Sequence, residues 1–431
     1  MSFERFIANR LSLTTMGNFS ALILRIAVLS IALSVAVMII TTTVIKGFKE
    51  GVTSKVLDFW GHIHITDGNV GETFELIPID LDPSLVADIE AIEQITYQRP
   101  PTIIRPEIKP PVQTTSGGVD RVETYTIVPA ILSTKSDFEG VYLKGYESDY
   151  QFERIKSYMK RGSWVSYPAD GPAQEIVLSE QISKRMNFDV GDKMIIYFIL
   201  DGEQYKKRFT VSGIYKTGLE EYDRRFALVD TRVLQEVLDW RADQVSGLEV
   251  YVDNLDDAVL LNEYIYFEKL PRNLYSQSIQ SKFYQIFQWL ELQDINEHVL
   301  ILLMILVAVI NMITAVLIFV LERTEMIGLL KSVGASDWSI RKIFLHNAAE
   351  VIIKGMIIGN VLALALCFIQ LKTGVFKLSE AEYYLDTVPI SFDWWMILLI
   401  NVGTVLVTLL FMIIPTWIVS RVDPVKALRF S

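Results

Sequence analysis

Cysteine is almost missing from this chain: of 431 residues one is cysteine, Cys367, and it lies inside an apolar run. Intramolecular disulfides are therefore excluded, and any domain outside a reducing compartment must hold together on its hydrophobic core. Blocks of positive charge are missing too. With a formal net charge of −11 and no basic cluster, the chain offers nothing to a phosphodiester backbone, so nucleic acid is not an expected partner. No G-x-x-x-x-G-K-[ST] phosphate loop occurs, so ATP has no Walker site here. Neither H-E-x-x-H nor G-x-S-x-G occurs. His62 and His64 alternate and share one strand face, but two ligands do not make a metal site, and a solvated strand face is expected. His298 and His346 fall at the ends of apolar runs. The expectation is a chain with no cofactor, no metal and no catalysis of its own.

What the chain does have is apolarity gathered into runs. Mean hydropathy is +0.32 although 21% of residues are charged, a combination that calls for membrane spans plus a charge-bearing soluble part. Val299–Leu321 carries no charge over 23 residues, roughly 34 Å of helix and enough to cross a bilayer core. Together with residues 26–46, 337–371 and 394–419 it gives four expected spans, the second covering 298–321. Asn311, Asn360 and Asn401 lie deep in these runs and suit hydrogen bonds between helices. Gly355 and Gly359 make a small-xxx-small face for close packing, and Trp394, Trp395 and Trp417 suit the two interfaces.

Residues 1–25 read as an interfacial helix. The first span reads as a retained anchor ending in a Thr41-Thr42-Thr43 turn, with no small-x-small cleavage pattern after it. Residues 47–297 alternate strand patterns (61–66, 122–131, 140–146, 193–200, 207–215, 226–230, 247–253) with helical ones (81–93, 179–187, 231–239, 256–269). Residues 200–206 read as a tight hairpin and the Pro-rich 100–111 as a loop, while 278–297 reads as helix running unbroken into the second span. The expected fold is an α-helical membrane protein with four transmembrane helices and a large extracytoplasmic α+β domain inserted between the first and second.

Lysine and arginine set the orientation. They collect before the first span (Arg5, Arg10, Arg25), between the second and third (Arg323, Lys331, Arg341, Lys342) and in the 420–431 tail, whereas the 372–393 loop is mainly acidic. The positive-inside rule puts both termini and residues 322–336 in the cytoplasm and the insert outside. In 322–336, Met326, Ile327, Leu329, Leu330 and Val333 form an apolar stripe that stops at Gly334. By pattern alone that helix is either a handle for a partner or a helix lying on headgroups.

The stretch ERTEMIGLLKSVGASDWSIRKIFL is similar to an E-I-G-x-L-K-A-L-G-A segment, and RVDPVKALR to an R-x-x-D-P-x-x-x-L-R ending. DVGDKMIIYF and RFTVSGIYKTGLEEYDRRFALVD are similar to a V-G-D strand and an F-x-V-x-G-I-x-x-T-G-x-x-E-x-D block. YYLDTVPISFDWW is similar to a Y-x-x-x-x-x-P loop. On these residues the chain resembles the FtsX/MacB-like permease superfamily of ABC transporters, and within it the lipoprotein-releasing Lol permeases. The resemblance implies a permease subunit in a bacterial inner membrane, its large domain periplasmic and its ATP hydrolysed by a separate cytoplasmic ATPase dimer. It implies as further partners a second permease subunit (identical or paralogous), lipoprotein cargo, membrane lipids and a periplasmic carrier. Mapped by motif, the ATPase-coupling residues are Glu322, Arg323, Glu325, Met326, Gly328, Leu329, Leu330, Lys331, Val333, Gly334 and Ala335. Lateral cargo entry between the first two spans would draw on Val35, Met38, Ile39, Leu306, Ile310 and Ile313. One departure stands out: where one Lol subunit inserts a proline-bearing hook that captures the carrier, this chain has only the short LDGEQYK hairpin. A MacB-like permease for peptide, toxin or drug efflux and an FtsX-like regulator of a cell-wall hydrolase remain the alternatives.

Overall fold

A computed structural model describes residues 18–69, 77–100, 110–134, 137–148, 153–200 and 202–417. The expectations for residues 1–17, for 101–109 of the Pro-rich loop and for the tail beyond 417 lie outside the described residues. Long helices run over Asn18–Trp60 (α1), Tyr284–Glu322 (α2), Asp337–Thr373 (α4) and Trp394–Phe411 (α5), with a short one, Thr324–Ser332 (α3), between the second and third. The described residues include four helices long and apolar enough to cross a membrane. The described residues form two compact units: residues 1–51, 289–377 and 387–431, and residues 52–288 with 378–386.

The first unit is a helix bundle. Its core joins Ile31, Val35, Met38 and Ile39 of α1 to Met312, Val316 and Phe319 of α2 and to Phe344, Val351 and Ile352 of α4. The Thr41-Thr42-Thr43 turn does not form. Thr43 Oγ1 donates to Ile39 O four residues back (2.7 Å), so the hydroxyl is satisfied inside the helix and α1 continues. The glycines of α4 admit α1: a Cβ on Gly355 would fall 2.8 Å from Ile31, and one on Gly359 2.5 Å from the Ala32 carbonyl. Asn360 and Asn401 exchange two side-chain hydrogen bonds (2.7 and 3.1 Å), tying α4 to α5, and Asn311 donates to Ser30 of α1. A Gly359→Leu variant should force the helices apart and lose about 1–3 kcal/mol of bundle stability, read as a lower melting temperature in detergent. An unchanged melt would mean that α1 and α4 do not pack at this glycine.

The second unit is α+β. Its strands are Ile63–Asp67 (β1), Ile79–Asp80 (β2), Thr96–Gln98 (β3), Val112–Thr114 (β4), Val119–Ser133 (β5), Phe138–Tyr146 (β6) and Met159–Gly162 (β7). They continue with Glu175–Ser179 (β8), Lys193–Leu200 (β9), Glu203–Tyr215 (β10), Phe226–Asp230 (β11), Gln244–Val245 (β12), Gly247–Val252 (β13) and Leu274–Ser278 (β14). Ten of them make one sheet in the order β14-β1-β13-β5-β6-β11-β8-β10-β7, with β9 bonded to both β10 and β5. The pairings β5-β6-β11-β8-β10-β9-β5 therefore close a ring, and closure leaves no free edge between its members. Strand β9 shows why its sequence suits a barrel wall: Met194, Ile196 and Phe198 point into the core while Ile195, Tyr197 and Ile199 alternate outward. Leu200 pairs with Glu203, and Gly202 supplies the positive φ (+83°) of a two-residue hairpin.

Long β5 serves both halves of the sheet. Its first part pairs with β13, and its second part pairs with β6 and β9. The helical stretch expected from residue 278 is broken once: Ile279–Lys282 is a separate turn, and Phe283 (φ −110°) precedes α2. Residues 378–386, expected in a separate loop, belong to this second unit. Lys55 donates to Tyr384 O (2.7 Å) and Lys216 pairs with Glu380. The T-G-x-x-E-x-D block is a structural device here. Asp223 accepts from Thr217 N (3.0 Å), Thr217 Oγ1 (2.8 Å) and Gly218 N (3.0 Å), closing a turn in which Gly218 has φ +79°. Burial raises the Asp223 carboxyl above its ordinary range, against those hydrogen bonds.

Candidate functional site

Two places in the molecule look built for work: the surface of α3 in the first unit and a buried joint in the second. Helix α3 ends as its sequence demands. Gly334 takes φ +97°, and Ala335 N donates to Leu330 O five residues back (3.0 Å), a Schellman-type stop. Ser336 then caps α4, accepting from Ser339 N (3.2 Å). The apolar stripe is split by this geometry. Ile327 and Gly328 are buried, and Met326 and Leu330 pack against the bundle core. Leu329 (55% exposed) and Val333 (82%) face outward with Glu322, Glu325 and Gly334. Arg323 and Ala335 are half-buried, as is Lys331, whose ammonium pairs with Asp337 (3.0 Å). Sequence reasoning missed one neighbour: Trp338 is 57% exposed, with Lys342 6.0 Å from its ring. An exposed tryptophan one turn past a glycine stop was the available signal, since aromatics anchor interfaces.

The joint lies where α1 ends. A helix leaves its last carbonyls without intrahelical partners; here Lys144 Nζ donates to Phe59 O (2.6 Å) and the His64 ring bonds Trp60 O. Lys144 also pairs with Glu249 at 2.6 Å, and both side chains are wholly buried. The Lys144 ammonium lies 4.3 Å from the Trp60 ring centroid, 4.8 Å from Phe59, 5.0 Å from Tyr146 and 5.4 Å from Tyr125. Burial pushes this lysine down from its ordinary value and the Glu249 charge opposes the shift. Lys282, two residues before α2, sits 4.5 Å from the same Trp60 ring and 2.7 Å from His64 Nδ1. The two contacts assign the tautomer: Nε2–H donates to Trp60 O, leaving Nδ1 to accept from Lys282. His62 and His64 are thus not on a solvated face. They are 7% and 3% exposed, because the end of α1 and the Ile279–Lys282 turn close over β1. The end of α1 and the Ile279–Lys282 turn that precedes α2 therefore meet on one tryptophan.

With these geometries in hand, comparison with known proteins decides the family. Residues 25–265 match the MacB-like periplasmic core domain, and residues 298–424 match the FtsX-like permease C-terminal domain. The chain belongs to the FtsX/MacB-like permease family. Over 95% of its length the permease is 23% identical to the lipoprotein-releasing system transmembrane protein LolE of Haemophilus influenzae, covering 94% of that protein. It is 21% identical to the transmembrane protein LolC of Neisseria meningitidis serogroup B, with 96% of each chain covered. LolC of Buchnera aphidicola subsp. Acyrthosiphon pisum is likewise 21% identical, over 96% of this permease and 95% of that protein. A solved structure, the extracellular domain of the noncanonic ABC-type transporter YknZ from Gram-positive bacteria, aligns with 50% of the permease and 100% of that chain at 10% identity and TM-score 0.31. Four long apolar helices in a member of this family make the permease a multi-pass membrane protein.

The six residues expected to line lateral cargo entry are not brought together. Val35, Met38 and Ile39 of the permease are buried in its own bundle, where the small face of α4 and the α2 side chains cover them. Leu306 and Ile310 are exposed (52% each) and Ile313 is half-buried. On α1 the outward stripe is instead Leu22, Ile26, Leu29 and Leu33.

Proposed function

We propose that this permease is the transmembrane subunit of an ABC machine that releases lipoproteins from an inner membrane, driven by an ATPase that it does not itself contain. The observation that carries the reading is Leu329 and Val333 standing exposed on a capped helix between two long apolar ones, in a chain without a phosphate loop. Near-full-length similarity to lipoprotein-releasing transmembrane proteins supports the cargo class.

In this proposal the four long helices span the membrane, and both termini and α3 face the cytoplasm. Residues 52–288 face the periplasm. An ATPase dimer grips α3; when its nucleotide sites close, α3 is displaced and α2 carries the motion to the joint at Trp60. A second permease chain, identical or paralogous, completes the machine. Acylated cargo enters along the outward faces of α1 and α2, at Leu29, Leu33, Leu306 and Ile310, and a periplasmic carrier receives it.

Purification of the tagged full-length chain in mild detergent tests this reading. The expected companions are an ABC ATPase, a second permease chain and triacylated or diacylated proteins. Recovery with a periplasmic adaptor and an outer-membrane channel, or with a cell-wall hydrolase, and without acylated protein, would overturn lipoprotein release.

A further inference from the structure

The outer wall of the second unit carries an apolar groove that the coupling reading leaves unused. Strands β5 and β9 pair from Ser133 with Ile195 to Ile131 with Tyr197, and the ladder stops there. One step further the register would set Pro129 opposite Ile199. On this side of β5 the Ile127 N–H donates to Ser246 Oγ (3.0 Å), so the N–H that Pro129 lacks would have pointed at β9. Strand β9 therefore runs on to Leu200 paired with β10 alone. A groove of about 440 Å³ lies here, lined by Pro129, Ile131, Gly140, Tyr142, Tyr197 and Ile199, with Arg225 beside them. That volume suits a small ligand or one part of a larger one.

Gly140 is the bare position in this lining. A glycine inside a strand weakens it and often marks a place where a ligand approaches closely. A Cβ on Gly140 would meet nothing within 4 Å, and its φ is not positive, so neither crowding nor backbone geometry asks for glycine. What the missing side chain does is keep the groove open.

Hydrocarbon suits this lining better than peptide. Among the lining side chains the polar groups are the Tyr142 and Tyr197 hydroxyls and the Arg225 guanidinium. A buried peptide would bring its own N–H and C=O groups to a wall that answers few of them, and Pro129 removes a donor that strand addition would use. The charge around the groove is positive. Arg225 shares Glu221 at 3.5 Å, while Lys206, opposite Tyr197, and Arg208, opposite Ile195, are exposed on the same outer face. The nearby carboxylates are engaged: Glu139 pairs with Arg185 (3.2 Å), and Glu203 accepts from the Tyr205 hydroxyl (3.1 Å). In a chain of net charge −11, three cations about one apolar groove favour a negative ligand. We propose that this groove holds one hydrocarbon chain of an anionic lipid, with Lys206, Arg208 and Arg225 at its rim selecting the headgroup. The site belongs to the second unit alone and does not rest on the release function proposed above.

Photolabelling of the full-length permease in phosphatidylcholine nanodiscs tests this. The probe is lysophosphatidylglycerol with a diazirine at the end of its chain, compared with lysophosphatidylcholine bearing the same chain, and labelled peptides are mapped by mass spectrometry. Label is expected on residues 127–142 and 195–200, with the glycerol head favoured about threefold at low salt. Gly140→Leu places a side chain in the groove, so it should cut that label about tenfold while leaving label on the four long helices and the melting temperature undiminished. Lys206→Gln with Arg208→Gln should keep the label and lose most of the headgroup preference. Unchanged groove label in Gly140→Leu, or label confined to the long helices in the wild type, overturns the site. Equal groove label from the two probes overturns the anionic ligand. A periplasmic protein that co-purifies with the wild type and is lost in Gly140→Leu, with lipid label unaffected, would make the groove a protein-docking surface and overturn the proposal. Should Gly140→Leu fail to fold, Ile199→Asp, at an exposed position, carries the same expectation.

Discussion

Leu329→Glu and Val333→Glu should each abolish association with the ATPase while leaving the permease folded and inserted. Both side chains stand on the open face of α3, so a charge there meets only solvent in the free permease. In the complex it would have to enter an apolar groove. A buried aliphatic anchor contributes roughly 1.5–3 kcal/mol by area, and an unpaired charge in its place adds a desolvation penalty. The sum is more than about 3 kcal/mol, a loss of at least a hundredfold in affinity. Leu329→Ala should lose about tenfold, because it removes the anchor without adding the charge. Leu330→Glu is the wrong variant for this purpose: Leu330 packs against the bundle core, so its failure would report misfolding. The measurement is pull-down of the ATPase together with a melting curve of the permease alone. Normal ATPase binding by both outward variants would make α3 a mere surface helix.

The sequence made some of this legible and not the rest, for physical reasons that differ from element to element. Uncharged runs longer than 20 residues have few folds open to them, so α2 and its neighbours could be placed by inspection. Alternation placed β9 and the later part of β10, since a half-buried strand leaves a period of two. Ring closure is different: it depends on Ile131, Leu132 and Ser133 pairing with residues 195–197, more than sixty positions away, and no local pattern encodes that. The stripe on α3 was visible, yet its division into Ile327 inward and Leu329 outward needs the angle at which the helix leaves α2. His62 and His64 looked like solvent-facing residues of an alternating strand. They are buried because distant helix ends land on that face, and a polar residue in a strand gives no sign of this by itself.

Lys144→Met should destabilise the second unit by about 3–5 kcal/mol, among the largest effects of any single change in the protein. The lysine and Glu249 are both wholly buried at 2.6 Å, and the lysine also satisfies the Phe59 carbonyl at the end of α1. Removing it takes the 2.6 Å ammonium partner away from a carboxylate in the interior, to which the Tyr251 hydroxyl lies at 3.4 Å, and takes the lysine donor away from a helix-end carbonyl. Attraction between the two charges is not the main source of this loss. A buried pair recovers little more than its own desolvation, so the damage comes from the charge left behind. The double variant Lys144→Met with Glu249→Leu removes both charges and should recover most of the stability lost in the single variant. The cycle of both singles and the double, melted in detergent with hydrogen exchange on residues 52–67 as the local probe, separates the two explanations. If the double stays as unstable as Lys144→Met alone, the pair itself stabilises the joint. If it recovers, the pair holds the geometry of Phe59 and Trp60 rather than adding stability. In that case the end of α1 should exchange faster in the double variant even though the unit as a whole stays folded.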